Sequence, residues 1–220
     1  MLLLLVAPAF AGMYSQLSSA TNPAVIWAGI DYSAAEIYVP ETFTDPDEKF
    51  YFEPGGGLRD QVRRFKDPQE AFESLTTDWN IMLQNTMFEE FEKVLQRNLV
   101  PDLATPAGQT TRKGDLYFFS NYEAKNHPTT FTRDTVVGLV KKYRLKEKEG
   151  IGLSFIVERF SADDKSACVW PTWFDVKKKE VLDTEQMCEK PGGGEFRNRW
   201  MKPITSIAQD LVKELKDESK

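Results

Sequence analysis

The chain has 220 residues, of which 41% are hydrophobic and 28% charged, and 28 basic against 34 acidic side chains give a net charge of −6. This length and composition predict one globular domain with enough apolar residues to bury a core. The acidic balance excludes a general nucleic-acid-binding protein, which needs a basic surface to meet the phosphates. Small local basic patches remain compatible with it.

The amino terminus resembles a secretory signal. An apolar run at Leu2–Val6 is followed by Ala9–Ala11, which fits cleavage before Gly12. The run is too short to span a membrane as a helix, and no cysteine follows it to carry a lipid. The missing positive leader favours a truncated start, and a buried N-terminal strand is the alternative. We expect residues 1–11 to be a signal, residues 12–23 a flexible mature terminus, and the protein to be exported, periplasmic and soluble.

Strand and helix patterns then alternate along the chain. Runs rich in β-branched and aromatic residues predict strands, namely residues 24–31, 36–39, 116–119 and 151–160. Apolar residues spaced three and four apart predict helices, namely residues 67–75, 77–95 and 132–143. The irregular stretch 42–57 has a length that is often functional or mobile. The alternation predicts a single α/β or α+β domain over residues 24–216, with helices packed on a mixed sheet.

Residues 150–215 form the unit around which the chain is organised: strand, hairpin, glycine turn and amphipathic helix. After the strand at 151–160, residues 167–174 and 180–188 return antiparallel, and Pro171, which has no amide hydrogen, predicts an edge strand or a bulge. Pro203 places the start of the regular final helix close to itself. The apolar face of that helix comprises Trp200, Ile204, Ile207, Ala208, Leu211, Val212 and Leu215.

The two cysteines lie symmetrically about the predicted hairpin turn. If the turn centres on Lys178, Cys168 and Cys188 face each other on adjacent strands, which in an oxidising compartment predicts a disulfide. Two unconnected buried thiols are the alternative. Two cysteines without histidine neighbours are too few ligands for zinc, and we expect neither a metal nor another cofactor.

Two Pro-Gly-Gly-Gly elements, at 54–57 and 191–194, are each followed by arginines. Glycines let backbone amides turn toward a ligand, and arginines attract anions. No Lys-Ser or Lys-Thr follows them, so neither is a Walker loop, and a plain chain reversal is the alternative. The second element predicts a ligand- or partner-binding patch, although Trp200 also fits the buried helix face. Its residues are Gly192, Gly193, Gly194, Arg197, Arg199 and Trp200.

Catalytic residues are not evident. Asp31 ends the first strand, where α/β sheets often contact ligands, but it fits a turn cap through Ser33 equally well. The single histidine, His127, would need a serine partner, and no strand-turn-helix nucleophile motif surrounds Ser120 or Ser154. A pair of facing carboxylates leaves no trace in a sequence, so a carboxylate-based hydrolase stays open.

Three segments resemble a group of uncharacterised exported bacterial proteins: Trp27–Ser33, Lys146–Gly152 and Gly192–Trp200. This resemblance implies export and no particular mechanism.

The order of strand, hairpin, glycine turn and final helix resembles an envelope lipoprotein fold. That fold is shared by the curli-secretion channel, penicillin-binding-protein activators and the amino-terminal domain of the Tol-system protein. Its hairpin turn usually carries Thr-Gly where this chain has Lys178-Lys179, and this chain lacks the lipid-bearing cysteine. The resemblance implies envelope assembly or scaffolding.

These observations predict an exported, non-catalytic binding or envelope-assembly protein. Its expected partner is a cell-envelope protein or a small anionic ligand, with no nucleic acid and no membrane span. The alternatives are a secreted carboxylate-based hydrolase and a small-anion-binding protein that uses the glycine-rich loops. The oligomeric state stays open.

Overall fold

A computed structural model of the chain describes residue 17 and residues 24–38, 50–52, 61–63, 68–103, 117–118, 131–161, 164–193 and 196–219. The predicted signal at 1–11, the first Pro-Gly-Gly-Gly element, His127 and Ser120 lie outside these residues. Leu17 is buried in the core.

The described part of the chain forms a mixed sheet with helices on both faces, which confirms the predicted fold class. Its helices are α1 (Pro68–Leu95), α2 (Arg133–Val140) and α3 (Phe196–Glu218). Its strands are β1 (Ala24–Asp31), β2 (Glu36–Tyr38), β3 (Phe50–Phe52), β4 (Gln61–Arg63), β5 (Asn98–Pro101), β6 (Tyr117–Phe118), β7 (Ile151–Ser161), β8 (Ser166–Asp175), β9 (Glu180–Thr184) and β10 (Met187–Glu189).

The main sheet has five rows of strands. β7 lies in the middle, with β1 and then β5 parallel to it on one side and the antiparallel β8 on the other. β2 continues the row of β1 alongside β7 and pairs with β6. β9 and β10 together form the outer row beside β8. β3 and β4 pair separately as a small antiparallel ribbon.

Side chains from the two faces of the sheet enter two cores. The larger core lies between the sheet and the pair α1 and α3, and it is rich in aromatic residues such as Trp27, Trp79, Phe155, Phe160, Trp173 and Trp200. The smaller core lies under α2 and includes Ile26, Ala28, Val136, Ile156 and Phe174. The alternation between neighbouring strand residues follows from the twofold side-chain period of a strand.

Helix α1 is one continuous helix where the sequence analysis predicted two. The sequence analysis ended one helix at residue 75 and began the next at residue 77. Threonine is a weak helix former, but tertiary packing overrides that preference. Thr76 is buried, and its carbonyl accepts a hydrogen bond from the Asn80 side chain at 2.9 Å. The predicted apolar stripe from Trp79 to Leu95 faces the larger core.

Helix α2 begins where the sequence predicted and ends three residues earlier. Thr132 caps it, and the side chains of Thr132 and Thr135 form a reciprocal capping box. After Val140 the chain turns, with the Tyr143 amide bonding the Val140 carbonyl at 3.1 Å. Tyr143 is therefore placed by a turn and not by a helix.

Helix α3 begins at Phe196, seven residues before Pro203, so the predicted start close to the proline is wrong. A proline inside a helix leaves the carbonyl four residues earlier without its partner. Here that carbonyl, of Arg199, accepts a hydrogen bond from the Gly192 amide at 2.8 Å instead. The predicted apolar face of the helix is buried throughout.

The cysteine prediction is confirmed. Cys168 in β8 pairs directly with Cys188 in β10, and a disulfide joins them. Pro171 lies in an inner strand and pairs with Phe155, so the predicted edge strand is wrong. The alternative, a local irregularity, is closer to the structure, because in the described sheet Pro171 has no pairing on its other side, between Thr172 paired with β9 and Val169 paired with β10. The interruption falls in the outer row instead, where β9 ends at Thr184 and β10 begins at Met187.

Candidate functional site

A cavity of about 350 Å³ lies at the end of the sheet where β7 begins. Two connecting segments form it, the α2-to-β7 connection at 141–150 and the β8-to-β9 turn at 175–180. Three apolar side chains, which we call the apolar floor, are Leu145, Phe174 and Val176. Four cationic side chains, which we call the basic rim, are Arg144, Lys148, Lys177 and Lys179. Tyr143 and Glu147 complete the lining.

The floor depends on a glycine in the neighbouring strand. Gly152 pairs with Phe174, and a Cβ atom at position 152 would collide with the Phe174 ring. The Phe174 ring thus lies over the glycine. It also makes an edge-to-face contact with the Tyr143 ring, and the two ring centres are 5.6 Å apart. Only glycine at this position lets the aromatic ring lie flat enough to form the floor.

The hydroxyl group of Tyr143 is part of a buried polar network on the side of the residue away from the cavity. Its hydroxyl donates to Asp31 Oδ2 at 2.7 Å and lies 3.0 Å from the Ser154 hydroxyl, which donates to the Gly29 carbonyl at 3.0 Å. Asp31 Oδ1 accepts from the Ser33 amide at 2.8 Å. Because its groups satisfy one another, the network fixes the wall of the cavity.

A bulge in β1 directs Asp31 toward Tyr143. Between Trp27 and Gly29 the pairing with β7 slips by one residue, and Gly29 has a φ of 98°. The slip turns Ile30 into the larger core and sends Asp31 to the opposite face. The Asn80 side chain accepts from the Ile30 amide at 2.8 Å and holds the bulge in place.

Asp31, a predicted ligand contact, is fully buried in this network. Burial raises the pKa of its carboxyl group, although the hydrogen bonds from Ser33 and Tyr143 act in the opposite direction. Burial and the neighbouring Asp31 raise the pKa of the Tyr143 hydroxyl. Asp31 therefore lies behind the cavity wall and supports Tyr143.

The α2-to-β7 connection is fixed at a second point by Asp102. Its Oδ2 atom accepts from the Lys146 amide at 2.6 Å and from the Glu147 amide at 3.1 Å. Asp102 directly follows β5, and its amide donates to the carbonyl of Trp27 in β1 at 2.8 Å, which fixes its position. The connection that carries half of the basic rim is thus held by two buried acids.

The β8-to-β9 turn carries the other half of the basic rim. Asp175 organises it, since its carbonyl accepts from the Lys179 amide at 2.8 Å and its side chain from the Lys178 amide at 2.7 Å. Lys179 has a φ of 55°, a left-handed conformation that favours glycine. The Val176 amide bonds the Gly150 carbonyl at 3.0 Å and ties the turn to the start of β7.

The residues of the predicted binding patch at the second glycine element do not all lie on the surface. The Trp200 ring is 2% exposed and stacks on Phe160 with ring centres 5.0 Å apart, so it belongs to the core. Gly192 bonds the Arg199 carbonyl, and a Cβ there would lie 2.9 Å from the Lys202 Cβ atom. Gly193 is exposed, while Gly194 and the Arg197 side chain lie outside the described residues. A binding role for Arg197 and Arg199 stays a prediction.

Acidic side chains gather between β9 and the second half of α3. Burial is the main cause that raises the pKa of Asp183 and of Glu214, and repulsion from neighbouring carboxylates adds to it. Those neighbours include Glu185 and Glu218 for both groups. Within the described part of the chain, no cluster of three or more histidine, cysteine or acidic side chains is arranged to hold a metal ion. The carboxylate-based hydrolase stays a prediction.

Sequence reasoning missed the cavity. The two cavity segments lie about 30 residues apart and meet only through the β7–β8 pairing, so a pattern along the chain does not indicate that they meet. One signal was available: residues 141–149 and 175–180 hold eight basic against four acidic residues in a chain that is acidic overall. Such a local excess is a sequence sign of an anion-binding surface.

No family model and no curated protein matches the chain. Among solved structures it is similar to a Xanthomonas campestris protein of the DUF330 family, with 10% identity, a TM-score of 0.31 and coverage of 89% of this chain and 84% of that one. An uncharacterised protein follows at 8% identity and a TM-score of 0.29, covering 90% and 99%. The LpoB C-terminal domain from Salmonella enterica has 9% identity and a TM-score of 0.22, covering 83% and 96%.

With TM-scores of 0.31 and below, these are distant likenesses. None of the helices in the described ranges is long and apolar enough to cross a membrane.

Proposed function

We propose that the protein is an exported, non-catalytic binding or assembly protein of the cell envelope. The disulfide between Cys168 and Cys188 carries the proposal. Disulfides form and persist in oxidising compartments such as the bacterial periplasm and are rare in the cytosol. The signal-like residues 1–11 support the same compartment.

The chemistry of the described polar groups supports binding over catalysis. The Ser154 hydroxyl, a possible nucleophile, is fully buried and bonds Tyr143 and a backbone carbonyl. The accessible cavity presents cations and apolar carbon, which attract and hold a ligand. A nucleophile and base within hydrogen-bond reach of a substrate would be needed for covalent catalysis.

Intact mass tests the compartment. The protein is purified from the periplasmic fraction of its native host, with free thiols blocked and no reductant. We expect a chain that starts at Gly12 and lacks two hydrogens because of the disulfide. A full-length chain in the cytosolic fraction with two blocked thiols would overturn the proposal.

Site-specific photocrosslinking in living cells tests the binding role. The probe residue replaces exposed Lys202, beside the glycine turn, or exposed Asp134 on α2, which packs on the other face of the sheet. We expect one defined envelope component to crosslink at one position and not at the other. Equal labelling at both positions, or no adduct at either, would contradict a specific partner at these surfaces.

A further inference from the structure

We propose that the cavity between the α2-to-β7 connection and the β8-to-β9 turn binds an organic phosphate. Its anionic group would lie at the basic rim, and its carbon skeleton against the apolar floor. This inference goes beyond the envelope role and does not depend on it.

The first support is the concentration of charge around the cavity. Residues 141–149 and 175–180 contain eight basic and four acidic side chains, a net charge of +4 in a chain whose total is −6. Cationic side chains around a concave, partly apolar site focus the electrostatic potential and raise the local concentration of anions. An anion is therefore attracted to this end of the sheet in a chain that is acidic overall.

Two lysines of the basic rim are held by backbone carbonyl groups. Lys148 donates to the Leu145 carbonyl at 2.9 Å and Lys179 to the Lys141 carbonyl at 3.4 Å. A carbonyl carries no net charge, and an ammonium group has three hydrogens to donate. Each lysine therefore keeps its full charge and two further donors for a ligand.

The balance of charge favours phosphate over a carboxylate. Four cations and one carboxylate, Glu147, line the cavity, which leaves a net charge of +3. A phosphate monoester carries about −1.5 to −2 at neutral pH and three acceptor oxygens, whereas a carboxylate carries −1 and two. Arg144 adds a planar fork that matches phosphate geometry.

The cavity also has room and an apolar surface for the organic part. Its volume of about 350 Å³ lies at the lower end of the range of small-molecule pockets. Leu145, Phe174 and Val176 are all buried, so the floor is packed and preformed. The anchors at Asp31 and Asp102 fix the wall before any ligand arrives, which lowers the entropy cost of binding.

Binding is measured with three probes. Soluble glycerol 3-phosphate tests a free ligand, vesicles of phosphatidylcholine with phosphatidylglycerol test the same chemistry in a lipid headgroup, and glycerol is the uncharged control. Amide NMR spectra of the intact mature chain locate the site. We expect glycerol 3-phosphate or the anionic vesicles, and not glycerol or pure phosphatidylcholine vesicles, to shift amides within 143–149 and 175–180.

The variant for this test is Lys177→Glu with Lys179→Glu, and the matched control is Lys165→Glu with Lys202→Glu, which changes the net charge equally at exposed positions away from the cavity. We expect the rim variant to lose about tenfold or more in affinity and the control to stay within about twofold. Thermal unfolding establishes that both variants fold. Equal losses in the two variants would overturn the site.

If the rim variant fails to fold, the measurements on the wild-type protein alone test the inference. In the wild-type protein, no binding of either phosphate probe at low salt would overturn the inference, and so would shifts confined to amides outside the two segments. Response to glycerol 3-phosphate alone assigns a soluble ligand, and response to the anionic vesicles alone assigns a lipid headgroup. Both results support the phosphate site.

Discussion

Gly192 supplies to the Arg199 carbonyl the hydrogen bond that Pro203 cannot make. The amide and the carbonyl lie 2.8 Å apart, and this carbonyl is the one four residues before the proline, left open because proline has no amide hydrogen. Gly192 thus connects the chain before α3 to the helix at the carbonyl that the proline leaves open. A feature that resembled an anion-binding loop has a structural role, and it accounts for both the glycine and the proline.

We expect Gly192→Ala to lower the free energy of unfolding by about 1–2 kcal/mol. The new Cβ would lie 2.9 Å from the Lys202 Cβ atom, so the turn must move away from the helix. Urea denaturation measures the change. Gly193→Ala is the matched control, because its Cβ would meet nothing within 4 Å, and it should change stability by less than about 0.5 kcal/mol. Equal effects at both positions would show that close packing at Gly192 is unimportant.

Replacing Lys179 by glycine should raise the free energy of unfolding by about 0.5–1 kcal/mol. The residue has a φ of 55°, which glycine adopts without steric cost. The comparison is Lys178→Gly, one residue earlier and not in the left-handed region, where glycine only adds freedom to the unfolded chain and should destabilise. If both substitutions shift the unfolding midpoint in the same direction, the backbone conformation of Lys179 does not cost stability.

Gly152→Ala should destabilise the protein by about 1–3 kcal/mol, because the methyl group enters the space of the Phe174 ring. A second substitution, Phe174→Leu, removes the ring and should recover part of the loss. A double-mutant cycle in chemical denaturation measures this coupling. Strictly additive effects would mean that the contact between the two residues carries no energy.

The acidic group between β9 and α3 should make stability depend on pH. The pKa values of Asp183 and Glu214 are raised in the folded protein, mainly by burial. A carboxyl group with a raised folded pKa stabilises the fold while it is protonated, and this contribution is lost as the pH rises through that pKa. Lowering the pH from neutral should therefore relieve the repulsion around these two groups.

Glu214→Gln is the corresponding substitution. It should stabilise the protein at pH 7 by up to about 0.5 kcal/mol, since the group is partly exposed and screened, and the gain should vanish at pH values below the ordinary carboxyl range. Thermal melts across pH measure this. The control is Glu180→Gln, an exposed acid in the β8-to-β9 turn away from the cluster. A gain that is independent of pH would contradict the electrostatic cause.

The order of elements could be predicted from the sequence because hydrophobic period and breaker residues report local structure. β1 has the predicted bounds, and the buried face of α3 matches the predicted one. The errors fall where tertiary contacts override local preference. Thr76 does not interrupt α1 because packing of this buried residue overrides its weak helix preference. Pro203 lies inside α3 because the Gly192 amide bonds the carbonyl that the proline leaves open.

The cysteine pairing was predicted correctly although the assumed turn was slightly misplaced. Asp175 pairs with Glu180, which centres the turn between Lys177 and Lys178, and a one-residue irregularity follows between Trp173 and Phe174 in the pairing of β8 with β9. The irregularity restores the register that brings Cys168 opposite Cys188. A bulge of this kind leaves little trace in the residue pattern, so its position could not be predicted.

The candidate site was not predictable to the same degree. The basic rim combines side chains from two segments whose proximity depends on the pairing of β7 with β8 and on the carboxylates of Asp31 and Asp102. Neither carboxylate lies near the rim in sequence. A linear pattern shows the charges but not their convergence on one cavity.

The disulfide has a consequence for aggregation. The outer row formed by β9 and β10 is interrupted at Glu185 and Gln186, and its far side is an edge of the described sheet. A short strand beyond such a gap can detach and recruit a strand from another molecule. The bond between Cys168 and Cys188 ties β10 covalently to β8, so β10 cannot detach and expose β8 to a strand from another molecule for as long as the thiols remain oxidised.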